Sequence, residues 1–473
     1  MIFTTIITPI LLLPDQIAAL ALSVPSKPPD NNHQHVIFPY NNNHRHSPPK
    51  AHIPGFISLG DSYSAGIGTR PDLPSPSSPC RQGLGAYPYL LASPLLPNRT
   101  SHQWLSCTGA TTLDLLSSLP PSPDSSQIDA FNPSSPVVPA FATLSIGGND
   151  LDFFSLLNAC VFRFYGPFPS ESCDDALRKV EDILSNQNSQ KLKLRIRLIL
   201  LEILDKIPWE YHPDFFITVT GYARFFNENT TECDDVSFGV WTSSTSGLLP
   251  KKTAGTKLTQ STRQKMNSFV LKANTLLSSV IDEVNASFSL GRNNNPKIVF
   301  VDYDLSFSGH RFCEPGVAKE PDYDRADTWF FLPGGKDVDQ AGNVYSSSTT
   351  PKEEEDEDDE YGDGDGVGYI DPDRCWEDAL ENGDWGEKAL CLMAKAKKED
   401  PGLKLIKHCR HHCQQENKKG RAVWRSTRKR KPGDSMWLTP TYYGKTFHPR
   451  SAGHEAIRDN IFQVWEEHGY LRT

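Results

Sequence analysis

Nowhere in its 473 residues does this chain hold the ~20 consecutive apolar residues that a helix needs to cross a bilayer, so no stable membrane span is expected. An excess of positive charge is missing as well. Against 58 Asp and Glu stand 48 Lys and Arg, a net charge of −10, which argues against a general nucleic-acid binder and favours solubility. No internal repeat is apparent, so repeat architectures are set aside.

What is present is chain enough for a sizeable core. Hydrophobic residues make up 37% and charged residues 22%, with 37 prolines and 32 glycines, the balance of a globular protein carrying irregular segments. Residues 1–23 read as a secretory signal peptide. Residues 2–13 are mostly apolar and Ala19-Leu20-Ala21 offers small residues for cleavage, although no Lys or Arg precedes the run and Pro14-Asp15 interrupts it. Ten cysteines, an even number, fit an oxidising compartment. The sequons at Asn98, Asn229 and Asn285 agree with that route and are the expected glycosylation sites; Asn132 is excluded by Pro133. The expected location is secreted, extracellular.

Residues 24–54, rich in Pro, Asn and His, read as a disordered N-terminal arm, and residues 55–473 as the main domain. From residue 55 short apolar runs alternate with helical patterns, the signature of α/β layers. Strands are expected at 55–59, 142–146, 215–220 and 297–301, each short and apolar throughout, as buried parallel strands are. Helices are expected at 174–207, 261–284 and 452–468. Residues 334–436 change character, with eight consecutive acids from Glu353 to Glu360 and a later basic run from Lys418 to Lys431. Like charges repel and stay solvated, so this stretch reads as an insertion outside the core.

Chemistry is carried by four segments. Gly60-Asp61-Ser62-Tyr63-Ser64 follows the first strand and presents Ser62 where that strand ends; Gly109 lies in a later loop; Gly147-Gly148-Asn149-Asp150 follows the second strand; His448 precedes the last helix. A serine hydroxyl is a poor nucleophile unless a base takes its proton and donors receive the oxyanion that forms. His448 is the candidate base, and the N–H groups of Ser62 and Gly109 with the Asn149 amide are the candidate donors. Ligands of open parallel sheets bind outside the carboxyl ends of the strands, where such loops converge. His454 is the rival base, with a structural role preferred. The second Gly-Asp-Ser, at Gly433-Asp434-Ser435, has no strand before it and reads as chance. The α/β-hydrolase elbow Gly-x-Ser-x-Gly is also absent, since Ser64 stands where its second glycine would be.

The four blocks, in this order and with Gly453-His454 after His448-Pro449, resemble those of the SGNH, or GDSL-type, hydrolase superfamily. The resemblance covers residues 55 to about 330 and 437–473. It implies a three-layer, flavodoxin-like α/β fold with a parallel central sheet. It also implies a serine carboxylic-ester hydrolase of the secreted esterase and lipase branch, acting on lipid or other acyl esters with no cofactor and no metal. The enzymatic alternative is a polysaccharide deacetylase-type esterase; the other is a non-catalytic carbohydrate- or surface-binding protein that keeps the fold. One departure stands out. The family's Asp-x-x-His places Lys445 where a carboxylate would orient the imidazole, which implies a Ser62–His448 dyad with the Lys445 carbonyl accepting from the ring. Asp434 or Glu455 could substitute in space.

The same resemblance implies bridges Cys80–Cys107, Cys160–Cys173 and Cys233–Cys313. Cys375, Cys391, Cys409 and Cys413 remain in the insertion, where two further disulfides are preferred over a zinc site with His408, His411 and His412. Asp363-Gly364-Asp365-Gly366 lacks a preceding calcium ligand, since Tyr361 stands there. Arg428-Lys429-Arg430-Lys431 reads as a processing site in an exported chain.

Overall fold

The computed structural model describes residues 53–70, 80–96, 101–118, 126–134, 137–162, 172–207, 212–238, 257–288, 296–317, 320–322, 325–332, 335–345 and 444–470. In chain order the elements are β1 (Phe56–Gly60), α1 (Ser62–Ala65), α2 (Tyr87–Leu95), β2 (His102–Trp104), α3 (Thr112–Leu115), α4 (Gln127–Ala130), β3 (Phe141–Ser145), α5 (Phe153–Leu157), α6 (Cys173–Ile183), α7 (Ser189–Lys206), β4 (Phe216–Thr220), α8 (Gln260–Asn285), β5 (Ile298–Val301), β6 (Asp337–Val338), β7 (Val344–Tyr345) and α9 (Ser451–His468).

Five strands form one sheet in the order β2-β1-β3-β4-β5, every neighbouring pair parallel. All residues of β1, β3 and β4 are buried, the consequence of covering both faces of the sheet. Helices α2 and α9 pack together, as do α7 and α8, giving the three-layer α/β architecture. The apolar spacing of α8 explains its seat. Met266, Phe269, Val270, Ala273, Leu277, Val280, Ile281 and Val284 recur at three- and four-residue intervals and are all buried. On the sheet, the rings of Phe56, Phe141 and Phe216 stack in sequence, and Trp465 of α9 meets Phe141 edge-on while its indole N–H donates to Thr218 Oγ1 at 2.9 Å.

The four expected strands are present within one residue at each end. The fifth, β2, escapes a search for apolar runs because His102-Gln103-Trp104 is a half-buried edge strand. The expected helix over 174–207 is two helices, α6 and α7, parted by the polar stretch Ser185-Asn186-Gln187-Asn188. The expected insertion also begins too early. Asp337 and Val338 are buried, β6 and β7 pair as a hairpin, and Ser451 donates to Asp337 through its N–H at 2.7 Å and its hydroxyl at 2.6 Å. Residues 335–345 therefore belong to the body, because buried hydrogen bonds fasten them to the start of α9. Residues 1–52, the signal segment and nearly all of the arm, and residues 346–443 lie outside the described residues. Among those described, no helix is long and apolar enough to cross a membrane.

Candidate active site

Strand β1 ends at Gly60, whose φ of +130° suits glycine alone; a Cβ there would stand 2.1 Å from the Ser145 carbonyl. Gln127 clasps the same residue, accepting its N–H at 2.7 Å and donating to its C=O at 2.8 Å. Asp61 then caps α1 by accepting from the Tyr63 N–H at 3.0 Å. Ser62 is the first residue of that helix, where an N–H has no carbonyl four residues back to bond. Its Oγ lies 2.6 Å from His448 Nε2, although the two residues are 386 apart in sequence.

The Gly109 loop follows β2 and is tied down by the Cys80–Cys107 bridge. The Thr108 N–H donates to Cys80 O and the Ala110 N–H to Cys107 O, both at 3.1 Å, and between them Gly109 turns at φ +82°. The Asn149 loop follows β3. Its side-chain amide donates to Ala110 O at 2.9 Å, which uses one of its two N–H bonds and leaves the other as a donor. Asp150 accepts from the N–H and hydroxyl of Thr112, at 2.9 and 2.5 Å, so the two loops hold each other.

Beneath them lies a buried polar web that sequence reasoning missed. The Tyr222 hydroxyl donates to Asp61 Oδ2 at 2.6 Å and accepts the Gly148 N–H at 3.0 Å. Ser145 Oγ donates to Asp61 Oδ1 at 3.2 Å. Tyr222 is itself gripped by Asn274, which accepts its N–H at 2.9 Å and donates to its C=O at 2.8 Å. Burial pushes the Asp61 carboxyl up to about 7, and these hydrogen bonds pull the other way. Tyr222 thereby joins the Ser62 turn to the Asn149 turn.

His448 is positioned differently. Phe447, at φ +62°, buries its ring among Phe225, Phe226 and Phe312, with centroids 4.8 to 5.4 Å away. The Tyr63 hydroxyl, one residue beyond Ser62, donates to Phe447 O at 2.9 Å. The ring Nδ1 of His448 faces Thr446 O at 3.2 Å. A carbonyl only accepts, so Nδ1 carries the hydrogen and Nε2 is the acceptor that faces Ser62. The Lys445 carbonyl, the expected acceptor, is the second carbonyl that draws on the ring. It also accepts the His448 backbone N–H at 2.8 Å, and it shares with the Thr446 carbonyl the work of holding the imidazole. The left-handed turn at Phe447 sets the Thr446 carbonyl within reach of Nδ1. Burial pushes the imidazole down to about 4, against the upward pull of the two carbonyls.

Among the described residues no carboxylate bonds His448. Glu455 accepts the Gln340 N–H at 3.1 Å and lies 3.6 Å from Arg70; Asp434 is outside the described residues. His454 is fully buried and its Nδ1 accepts the Tyr87 N–H at 3.2 Å; burial pushes it down to about 3. It is a packing residue beneath α2.

The structure joins Cys160 to Cys173 and Cys233 to Cys313. The other four cysteines and Asn98 lie outside the described residues. Asn229 is exposed, whereas the Asn285 amide pairs with both backbone groups of Ile298, at 2.7 and 3.0 Å, and fastens the end of α8 to β5. Among the described residues no group of His, Cys, Asp and Glu is arranged to hold a metal.

No family model matches the chain. It is 29% identical over 177 residues to Lipase 1 of Streptomyces coelicolor, covering 37% of this chain and 55% of that protein. To the lipase of Streptomyces rimosus it is 30% identical over 114 residues, covering 24% and 37%. The chain thus spans about half or less of the curated relatives it matches. Among solved structures it is similar to phospholipase A1 from Streptomyces albidoflavus, at 22% identity over 62% of this chain and 91% of that one, with a TM-score of 0.40. The extracellular lipase of Streptomyces rimosus gives 20% identity, 57% and 90% coverage and a TM-score of 0.38. With a parallel sheet that presents the four ordered blocks and with lipases among its sequence relatives, the chain is similar to the SGNH, or GDSL-type, hydrolases, and its own fold is three-layer α/β.

Proposed function

We propose that this protein hydrolyses carboxylic esters through an acyl-enzyme on Ser62. The observation that carries the reading is the 2.6 Å contact between Ser62 Oγ and the unprotonated Nε2 of His448. His448 takes the hydroxyl proton as Oγ attacks the acyl carbonyl. The oxyanion that forms is received by the N–H groups of Ser62 and Gly109 and by the second N–H of the Asn149 amide, each such donor worth ~3 kcal/mol of barrier. His448 then gives its proton to the departing alcohol, and water, activated by the same imidazole, frees the acid. The transient imidazolium rests on the carbonyls of Thr446 and Lys445, so the site works as a dyad.

Lipid or other acyl esters are the proposed substrates, a reading supported by the names of the two Streptomyces lipases. Three disulfides support function in an oxidising, extracellular setting. A serine-directed phosphonate is expected to label the protein, and Ser62→Ala to abolish the label. Persistent labelling of Ser62→Ala removes the assignment. A series of p-nitrophenyl esters is expected to favour long acyl chains; release of acetate from acetylated polysaccharide alone would replace the lipid reading.

A further inference from the structure

Helix α7 differs from the rest of the surface in two ways at once. Its first half, Lys191-Leu192-Lys193-Leu194-Arg195-Ile196-Arg197-Leu198, holds four cations and no anion in a chain whose net charge is −10. Leu192 and Ile196 turn inward and are buried. Leu194 and Leu198, one turn apart on the opposite side, stand 56% and 39% exposed. A third leucine, Leu113 of α3, is 48% exposed, and α3 packs beside α7. Single exposed leucines are ordinary, but three on two adjoining helices, framed by cations, are not. Among the described residues, Arg197 lies 3.9 Å from Glu283 with both side chains exposed, where such a pair contributes little, whereas Arg195 lies 3.8 Å from the mostly covered Asp150 carboxylate and is the more committed of the two.

Topology sets where this face lies. Strands β3 and β4 are parallel, so the connection through α7 runs back across the sheet and α7 starts at the edge where β3 ends. That edge carries Gly148 and Asn149. Asp150 links the two features directly, since it binds Thr112 at the start of α3 and neighbours Arg195 of α7.

We infer that the outer face of the first half of α7, together with Leu113, docks the protein on an anionic lipid surface and so sets the Ser62 site against it. The leucines enter the head-group boundary while Lys191, Lys193, Arg195 and Arg197 meet anionic head groups, the pattern of helices that lie in a lipid interface. This rests on the proposed action on lipid esters, and it is tested apart from it.

The full chain is mixed with vesicles of phosphatidylglycerol or of phosphatidylcholine, and the bound fraction is measured by sedimentation. Hydrolysis of soluble p-nitrophenyl butyrate is followed in parallel. Binding to phosphatidylglycerol is expected to exceed that to phosphatidylcholine by about tenfold or more and to fall with added salt. Leu194→Ser with Leu198→Ser, and separately Lys191→Glu with Lys193→Glu, are each expected to lower it about tenfold while butyrate hydrolysis stays within about twofold. Equal binding to both vesicles, or unchanged binding by both variants, overturns the inference. So does a dimer that dissociates on the leucine exchange, which would make a second copy the occupant. A wild-type chain that binds vesicles but leaves butyrate intact sinks the ester-hydrolase reading and not the surface.

Discussion

Around Ser62 the fold uses buried hydrogen bonds, whereas around His448 it uses aromatic packing. Gln127, Tyr222 and Ser145 surround the Gly60-Asp61-Ser62 turn with polar groups that all find partners. Phe447 instead wedges a left-handed turn into a ring cluster, and two backbone carbonyls serve where a carboxylate would orient the imidazole. The difference teaches that the proposed nucleophile and its donors are fixed by direction, and the proposed base by shape. Hydrogen bonds set the direction of the N–H groups proposed to receive an oxyanion; packing keeps a neutral ring beside a hydroxyl.

The comparison breaks first if the base is not the base. His448→Ala is expected to lower kcat by about 10^4-fold or more with the fold intact, as loss of a group that acts with its nucleophile does. Next, Phe447→Ala tests shape. Removing that ring from the cluster is expected to cost about 3–5 kcal/mol in a denaturant melt. A displaced imidazole should lower kcat about a hundredfold. A stable, fully active variant would show that packing is not what holds the base.

Direction is tested by Tyr222→Phe, which keeps the ring and removes the hydroxyl between Asp61 and Gly148. Leaving these partners unmatched should cost about 1–3 kcal/mol. We expect kcat to fall about tenfold with KM unchanged, because the Asn149 turn serves the transition state. A change in KM alone would assign Tyr222 to substrate binding. The pH profile is a subtler probe. His448 must be neutral to accept a proton, so the acid limb of kcat/KM should lie near its depressed value of about 4 and not near the usual ~6.5. Because the folded state holds His448 and His454 neutral, these two groups contribute stability that is lost as pH falls below about 6.5, while Asp61, pushed up to about 7, contributes with the opposite sign over the same range. An acid limb at the ordinary value would mean water reaches the imidazole freely. Smallest of all, Glu455→Gln should leave kcat within about twofold, since that carboxylate serves Gln340 and Arg70. A large loss would restore a triad.

Much of the serine side was legible because it is written in contiguous blocks. Gly60 to Ser64 and Gly147 to Asp150 combine an apolar strand, a glycine that permits a sharp turn and a polar side chain, all within reach of local rules. Tyr222, Gln127 and Asn274 were not legible. Each is an ordinary residue in its own stretch and gains meaning only when the fold carries it to a partner 52 to 161 residues away. That the Thr446 carbonyl joins the Lys445 carbonyl at the ring likewise depends on a backbone dihedral at Phe447 that no motif encodes. Strand β2 was missed because an edge strand need not be apolar, and the break between α6 and α7 because a helical stripe on either side hides a short polar gap.

The 386 residues between Ser62 and His448 also have a temporal meaning. A ribosome that has released the sheet, the disulfide loops and the Gly109 and Asn149 turns has still made the proposed nucleophile without its proposed base. Closure of the site awaits one of the longest-range contacts in the molecule, and such contacts form late because the intervening chain must first be brought together. On the proposed reading, the nascent chain therefore lacks its base until α9 brings His448 against the finished sheet.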